Sequence, residues 1–282
     1  MTYQAMTIEI TGLTIYPVKS MKGISLERST LTAQGLLHDR RWMVVTAGGR
    51  FITQRNLARM ALVHTELAGE GVTLSLRGHG SITIPANGPG GEEIRTKVWG
   101  DVCETIDEGQ EVSRWLTAAL ESNTELRLVH MAPGFVRPQG KPEHLGEETH
   151  TYFADAAPFL IANESSLDAL NDELTSRREG PVPMDRFRPN IVLRGLEAFA
   201  EHSMPAVRSD NYGFRFCHPC ERCVITTIDQ ETAEKNPDWQ PFNTLKEINP
   251  VPGKKPAPAF GQNATLLSGE QATVAVGDRL AL

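Results

Sequence analysis

Residues 216–229 read FCHPCERCVITTID and hold three of the chain's four cysteines, spaced C-x2-C-x2-C. Sulfur at that density suits zinc, an iron–sulfur cluster, a redox disulfide, or a single thiolate holding a heavy metal. Cys217, Cys220, Cys223 and His218 make four donors. Structural zinc usually closes on two separated pairs, however, and the only distant cysteine, Cys103, has none beside it. An iron–sulfur cluster meets the same shortage. A Cys217–Cys220 disulfide fits C-x-x-C spacing, and three small buried hydrophobes are the bland alternative. Cys223 differs: it follows Arg222, whose fixed charge favours thiolate, and it opens an expected strand, CVITTID. A thiolate so placed serves as a nucleophile or a soft metal ligand, and spacing alone leaves both open.

Three basic groups complete the set of chemically capable residues. YPVKSMKG, residues 16–23, ends the first expected strand with Lys19, Ser20, Lys22 and Gly23. A point charge, a hydroxyl donor and approachable backbone suit a phosphate. HDRRW adds Arg40 and Arg41 before the next strand. MDRFRPN is read as an extended segment with Arg186 and Arg188 on one side and Asn190 after the proline. Arginine forks match phosphate, and asparagine can read a heterocycle's donor–acceptor edge. For each group alone, a solvated surface charge is the commoner explanation.

The elements that must position these residues read mostly as strands. TIEITGLTIYPV, RRWMVV, GVTLSL, SITIPA and IRTKVWGDVCETID alternate or run β-rich, with a hairpin signal at Gly48-Gly49. GQEVSRWLTAAL and ANESSLDALNDELTSR carry helical periodicity, the second with Ser165 and Asp168 as a capping box. LRLVH, NIVLRG, YGFRFC, ATLLSG and ATVAVGDRLAL return to strand. Residues 131–150 are rich in Pro, Gly and polar residues, which makes them the best linker or mobile loop. A second loose stretch covers 233–260. The fold class expected is mostly β with attached helices (α+β), divided as 1–130 and 131–282. The opening strands are free to pack with the second part, because one ligand would have to touch Lys19, Arg40 and Cys223 together.

Composition bounds the rest. The 282 residues are 40% hydrophobic and 22% charged, ordinary for a globular chain with a large core. A net charge of −7 argues against a nucleic-acid partner. No stretch approaches the roughly 20 apolar residues of a membrane span, and the N-terminus lacks a secretory pattern. Few, clustered cysteines suit a reducing compartment, so a cytoplasmic location is expected.

Taken in order, YPVKSMKG, HDRRWMVV, DAAPFLIANESSLDALN, RFRPNIVL, CERCVITTID and AFGQNATLL before VGDRLAL resemble the MOSC-domain proteins that carry an N-terminal β-barrel module. Within these the resemblance is to the amidoxime-reducing component family. It runs from about Ile10 to the last residue. It implies a MOSC β-barrel preceded by a β-barrel-like module, and a molybdenum cofactor whose metal is held by Cys223. By the same pattern Lys19, Ser20, Arg40, Arg188 and Asn190 grip the pterin and phosphate. Ala156 and Ala157 stand where relatives often carry hydroxyl residues. The activity implied is reduction of N-hydroxylated compounds, with Cys223 as the catalytic metal ligand. Electrons would come from a separate flavin reductase, ferredoxin or cytochrome. Three other functions compete: a carrier of molybdenum cofactor on the same residues, sulfur transfer through a Cys223 persulfide, and an interaction protein stabilised by zinc at Cys217, Cys220 and Cys223. Asp229 is read as structural, and Cys217 and Cys220 are left without a role.

Overall fold

A computed structural model describes residues 7–85, 91–137, 140, 142–251 and 257–282. Strands dominate the described residues, as expected, and four α-helices are found among them. The largest sheet has nine strands. Its main path runs Ala206–Arg208, Gly213–Glu221, Ala257–Ser268, Phe159–Asn163, Ile191–Arg194, Ile8–Ile15 and Arg279–Leu280. Its one parallel step joins Phe159–Asn163 to Ile191–Arg194, and the helix Glu164–Ser176 supplies part of the crossover such a step requires.

The opening strand Ile8–Ile15 lies between Ile191–Arg194 and Arg279–Leu280, so the first residues pair with the last third of the chain. Packing repeats this. One core joins Ile8, Ile10, Leu13, Ile15, Leu31 and Leu36 to Phe159, Ile191, Phe214 and Leu280. A four-stranded sheet, Trp42–Thr46, Leu126–Met131, Asp101–Asp107 and Glu93–Val98, has its own core with the helix Gln110–Ala119 and a three-stranded sheet of residues 64–84.

Several local expectations change. The turn at Gly48-Gly49 forms, but its return is the single bridge Val45–Phe51; Trp42–Thr46 pairs instead with Leu126–Met131. Helix Glu164–Ser176 is capped by Asn163, whose side chain accepts from the Ser165 N–H, rather than by a Ser165–Asp168 box. Asn163 also donates to the buried Glu201, a tertiary contact invisible in local spacing. The loop 131–150 lies partly outside the described residues. Within them it holds the short helix Pro142–Leu145, and Arg137 pins it by pairing with Asp101 and donating to the Ala154 carbonyl. The stretch 233–260 likewise contains the helix Phe242–Ile248.

Candidate functional site

Two backbone ladders build one wall of a cleft. Lys19 N–H donates to the Trp42 carbonyl, Arg40 N–H to Tyr16, and Phe153 N–H to Arg40. These bonds draw 16–20, 40–42 and 153–155 together. The other wall comes from the segment 187–190 and from the end of strand Gly213–Glu221 with the turn after it. Lys19, Ser20, Arg40, Arg188, Asn190 and Cys223 all line this cleft, which encloses about 110 Å³. Ala156, Ala157, Cys220, Arg222 and Asn263 share it.

Backbone strain marks three residues of this cleft. Ser20, Arg40 and Arg188 all adopt left-handed φ, between 48° and 68°, without being glycine. Such conformations cost about 1–3 kcal/mol each and persist where the surroundings impose them, often at ligand sites. The Arg40 and Arg188 guanidiniums both lie over the buried Tyr16 ring, 4.3 and 4.2 Å from its centroid. Burial pushes the Tyr16 phenol up to about 12, against the pull of those two cations, so the ring stays neutral.

The cations differ in how they are neutralised. Lys19 Nζ donates to the Phe153 carbonyl at 2.8 Å and pairs with Asp155 at 2.5 Å. Burial pulls the ammonium down from its ordinary value, and Asp155 opposes that. Burial would raise Asp155, but Lys19, Arg55 and the Trp99 indole outweigh it and hold the carboxyl well below the usual range. Asp155 keeps 58% of its side-chain surface in solvent, so the pair is screened on that side. Arg40 pairs with Asp39, whose carboxyl is raised by burial and pulled back by Arg40, the Tyr16 N–H and Asn190.

Arg188 has no such partner. Among the described residues it forms no ion pair and no side-chain hydrogen bond, and burial lowers it only to about 10, leaving it charged at neutral pH. Arg222 likewise has no carboxylate. It donates to the Phe187 carbonyl and to Cys220 Sγ, and its buried Nε finds no partner. The Ser20 hydroxyl also makes no hydrogen bond among the described residues. Asn190 is committed structurally: its amide accepts from Leu160 N–H, donates to the Thr14 carbonyl and supports Asp39.

Three expectations about these elements are corrected. Strand Gly213–Glu221 ends before Cys223, which begins a 3-10 turn, Val224–Thr227, in place of the strand CVITTID. The Arg222 guanidinium reaches Cys220 Sγ at 2.9 Å, so its hydrogen bond goes to the neighbouring thiol and not to Cys223. Arg186 and Arg188 do not share one side of an extended segment. A 3-10 turn, Met184–Arg186, sends Arg186 to Asp229 and Arg188 to Tyr16 and the cleft.

All four cysteines are free. Among the described residues no three His, Cys, Asp or Glu side chains converge as a metal site. Cys223 is a half-buried thiol without a hydrogen bond among the described residues. Sequence reasoning named Arg222 only as the neighbour of Cys223; it missed Asp155, which lines the cleft, and Asp39, the buried partner of Arg40. Asp39 had a signal, the acid in HDRRW, whereas Asp155 meets Lys19 across 136 residues.

Comparison with known proteins follows the same outline. Residues 7–123 match the MOSC N-terminal beta barrel domain and 148–281 the MOSC domain. The chain is 32% identical over 283 residues to mitochondrial amidoxime-reducing component 1 of Homo sapiens, covering 95% of this chain and 81% of that protein. Identity to the Xenopus laevis protein of the same name is also 32%, over 90% of this chain and 76% of that one. Molybdenum cofactor sulfurase of Danio rerio is 32% identical over 84% of this chain, but the match spans only 30% of that longer protein. Fold, domains and identity together place the chain in the MOSC-domain family, in the two-part form shared with the amidoxime-reducing components.

Proposed function

We propose that this chain is a molybdenum-cofactor-dependent reductase of N-hydroxylated compounds: amidoximes, N-hydroxy bases and hydroxylamines. The observation that carries the reading is one cleft presenting a free thiol beside two guanidiniums, Arg188 and Arg222, that lack carboxylate partners. An anionic, thiolate-ligated group fits that donor set, because it offsets the desolvation of both cations and uses the orphaned Arg222 N–H. Cys223 Sγ would hold the metal. Arg188 and Arg222 would bind the anionic dithiolene and phosphate groups, with the Ser20 hydroxyl and the remaining Lys19 N–H beside them. Asn190, Asp39 and Asp155 would keep those donors in place. The enclosed volume is small for a whole cofactor, and a second groove of about 470 Å³ adjoins it through Arg188.

When bound, the cofactor supplies two-electron removal of oxygen from nitrogen; the protein's share is binding and orientation. In the net reaction the N–O bond breaks, two electrons and two protons are consumed, and the amine or amidine leaves with water. The electrons come from a separate protein. No helix among the described residues is long and apolar enough to cross a membrane, and a cytoplasmic location is part of the proposal. Molybdenum-loaded protein given benzamidoxime and reduced methyl viologen should form benzamidine, and Cys223→Ser should not. Equal turnover by the two would refute the reading. The likeness to molybdenum cofactor sulfurase favours one alternative, sulfur transfer through a Cys223 persulfide, which mass analysis of the peptide would reveal.

A further inference from the structure

The rim of the cleft carries an apolar and basic surface that the chemistry above does not use. Trp99 stands at the turn between strands Glu93–Val98 and Asp101–Asp107, with φ of 55° and 47% of its surface exposed. Val102, 58% exposed, and the half-buried Phe51, whose ring is 5.4 Å from Trp99, extend it. Arg50, Arg95 and Lys97 line the same shallow depression, and the Arg55 guanidinium lies 4.4 Å over the Trp99 ring.

Among the described residues none of these four cations forms an ion pair. Glu104 stands opposite Arg95 in the strand ladder and offsets part of the charge; Lys97 faces Val102. On a chain of net charge −7, four cations gather around an exposed tryptophan, and Glu93, on the same exposed face as Arg95 and Lys97, is with Glu104 the acidic offset in that ladder. Trp and Arg are enriched among the residues that carry most of the binding energy at protein interfaces, and local potential selects a partner of opposite charge.

Position gives the patch its purpose. The Trp99 indole N–H donates to Asp155 Oδ1 at 3.1 Å, and the same oxygen holds Lys19 Nζ, which lines the cleft with Cys223. A protein resting on Trp99 is therefore separated from the cleft rim by one carboxylate.

We infer that this face is the docking surface for the electron-donor protein, and that the donor presents an acidic patch around its redox centre. The inference rests on the reductase reading. Charge complementarity and closeness to the cleft choose this occupant over nucleic acid, whose backbone the acidic remainder of the molecule repels.

The test uses molybdenum-loaded protein reducing benzamidoxime with two electron sources. One is reduced methyl viologen; the other is an acidic plant-type ferredoxin kept reduced by its NADPH reductase. The variant is Arg50→Glu with Lys97→Glu, both exposed. The matched control is Arg114→Glu with Lys246→Glu, exposed and outside the patch. The viologen rate should be unchanged in both. At low salt the ferredoxin rate should fall about tenfold or more in the patch variant only, and added salt should slow the wild type. Equal ferredoxin rates, an equal loss in the control, or no reduction by ferredoxin where viologen works would overturn the docking surface. Failure of viologen itself would instead refute the reductase reading, and the docking surface with it.

Discussion

A guanidinium held at a cleft without a carboxylate carries a desolvation cost that an anionic ligand removes. Arg188 is in that position, and its side chain contributes nothing to an ion pair that its loss would break. Arg188→Met should therefore leave the melting temperature of cofactor-free protein unchanged or slightly raised. It should weaken cofactor retention about 10- to 100-fold, the worth of one charge-assisted hydrogen bond. The sign with pH follows from its charge. Held near 10, Arg188 stays cationic through about pH 9, so its contribution should be flat from pH 7 to 9 and fall above 10. Retention by wild type and variant measured across that range checks both statements. At this scale the sequence singled out Lys19, Arg40, Arg188 and Cys223, and the fold brings all four to one cleft. Their counterions were not legible, because Asp155 reaches Lys19 only through the tertiary fold.

Among elements, the turns carry more than their length suggests. Cys223 is placed by the end of strand Gly213–Glu221 and by the 3-10 turn Val224–Thr227, where the Thr226 and Thr227 hydroxyls close onto the Cys223 and Val224 carbonyls. The β-branched run VITT reads as strand by propensity, and those two local bonds override it. The next device is Asp229, which accepts from the Glu231 and Thr232 N–H groups and pairs with Arg186 at 2.6 Å. Its slight burial raises the carboxyl, but the two N–H bonds and then Arg186 win, so it is held below its ordinary value. A depressed carboxyl stabilises the fold above its unfolded pKa and loses that contribution as pH falls through the folded one. The gap in melting temperature between wild type and Asp229→Asn should be full near pH 6 and close progressively below about pH 4. A gap that does not change with pH would assign Asp229 a role other than charge. The structural reading of Asp229 agrees with this geometry. The extended reading of 184–188 does not, because the bonds that make its 3-10 turn are local and its partners are distant.

At the scale of the whole molecule, the mostly-β class and the order of strands were legible from alternation and turn residues. Alternation did not give the pairing of the first strand with the last third, since it specifies a buried face but no neighbour; that expectation came from the need for one ligand to touch Lys19, Arg40 and Cys223. That pairing makes the sequence boundary near residue 130 a poor guide to what folds alone. A fragment of residues 131–282 lacks Ile8–Ile15, the strand between Ile191–Arg194 and Arg279–Leu280, and Leu31 and Leu36 from the core. It should show no cooperative thermal unfolding by circular dichroism, whereas the full chain should. A cooperative melt from the fragment would mean that its core closes without the opening strand.

The central claim is that Cys223 and the surrounding cations hold molybdenum cofactor. The most direct measurement is the metal content of protein purified from cells that make the cofactor, by elemental mass spectrometry, with Cys223→Ser beside the wild type. The account predicts near-stoichiometric molybdenum in the wild type, and loss of the metal or altered metal spectroscopy in the variant. Zinc in place of molybdenum, or no metal with a persulfide on Cys223, would contradict it.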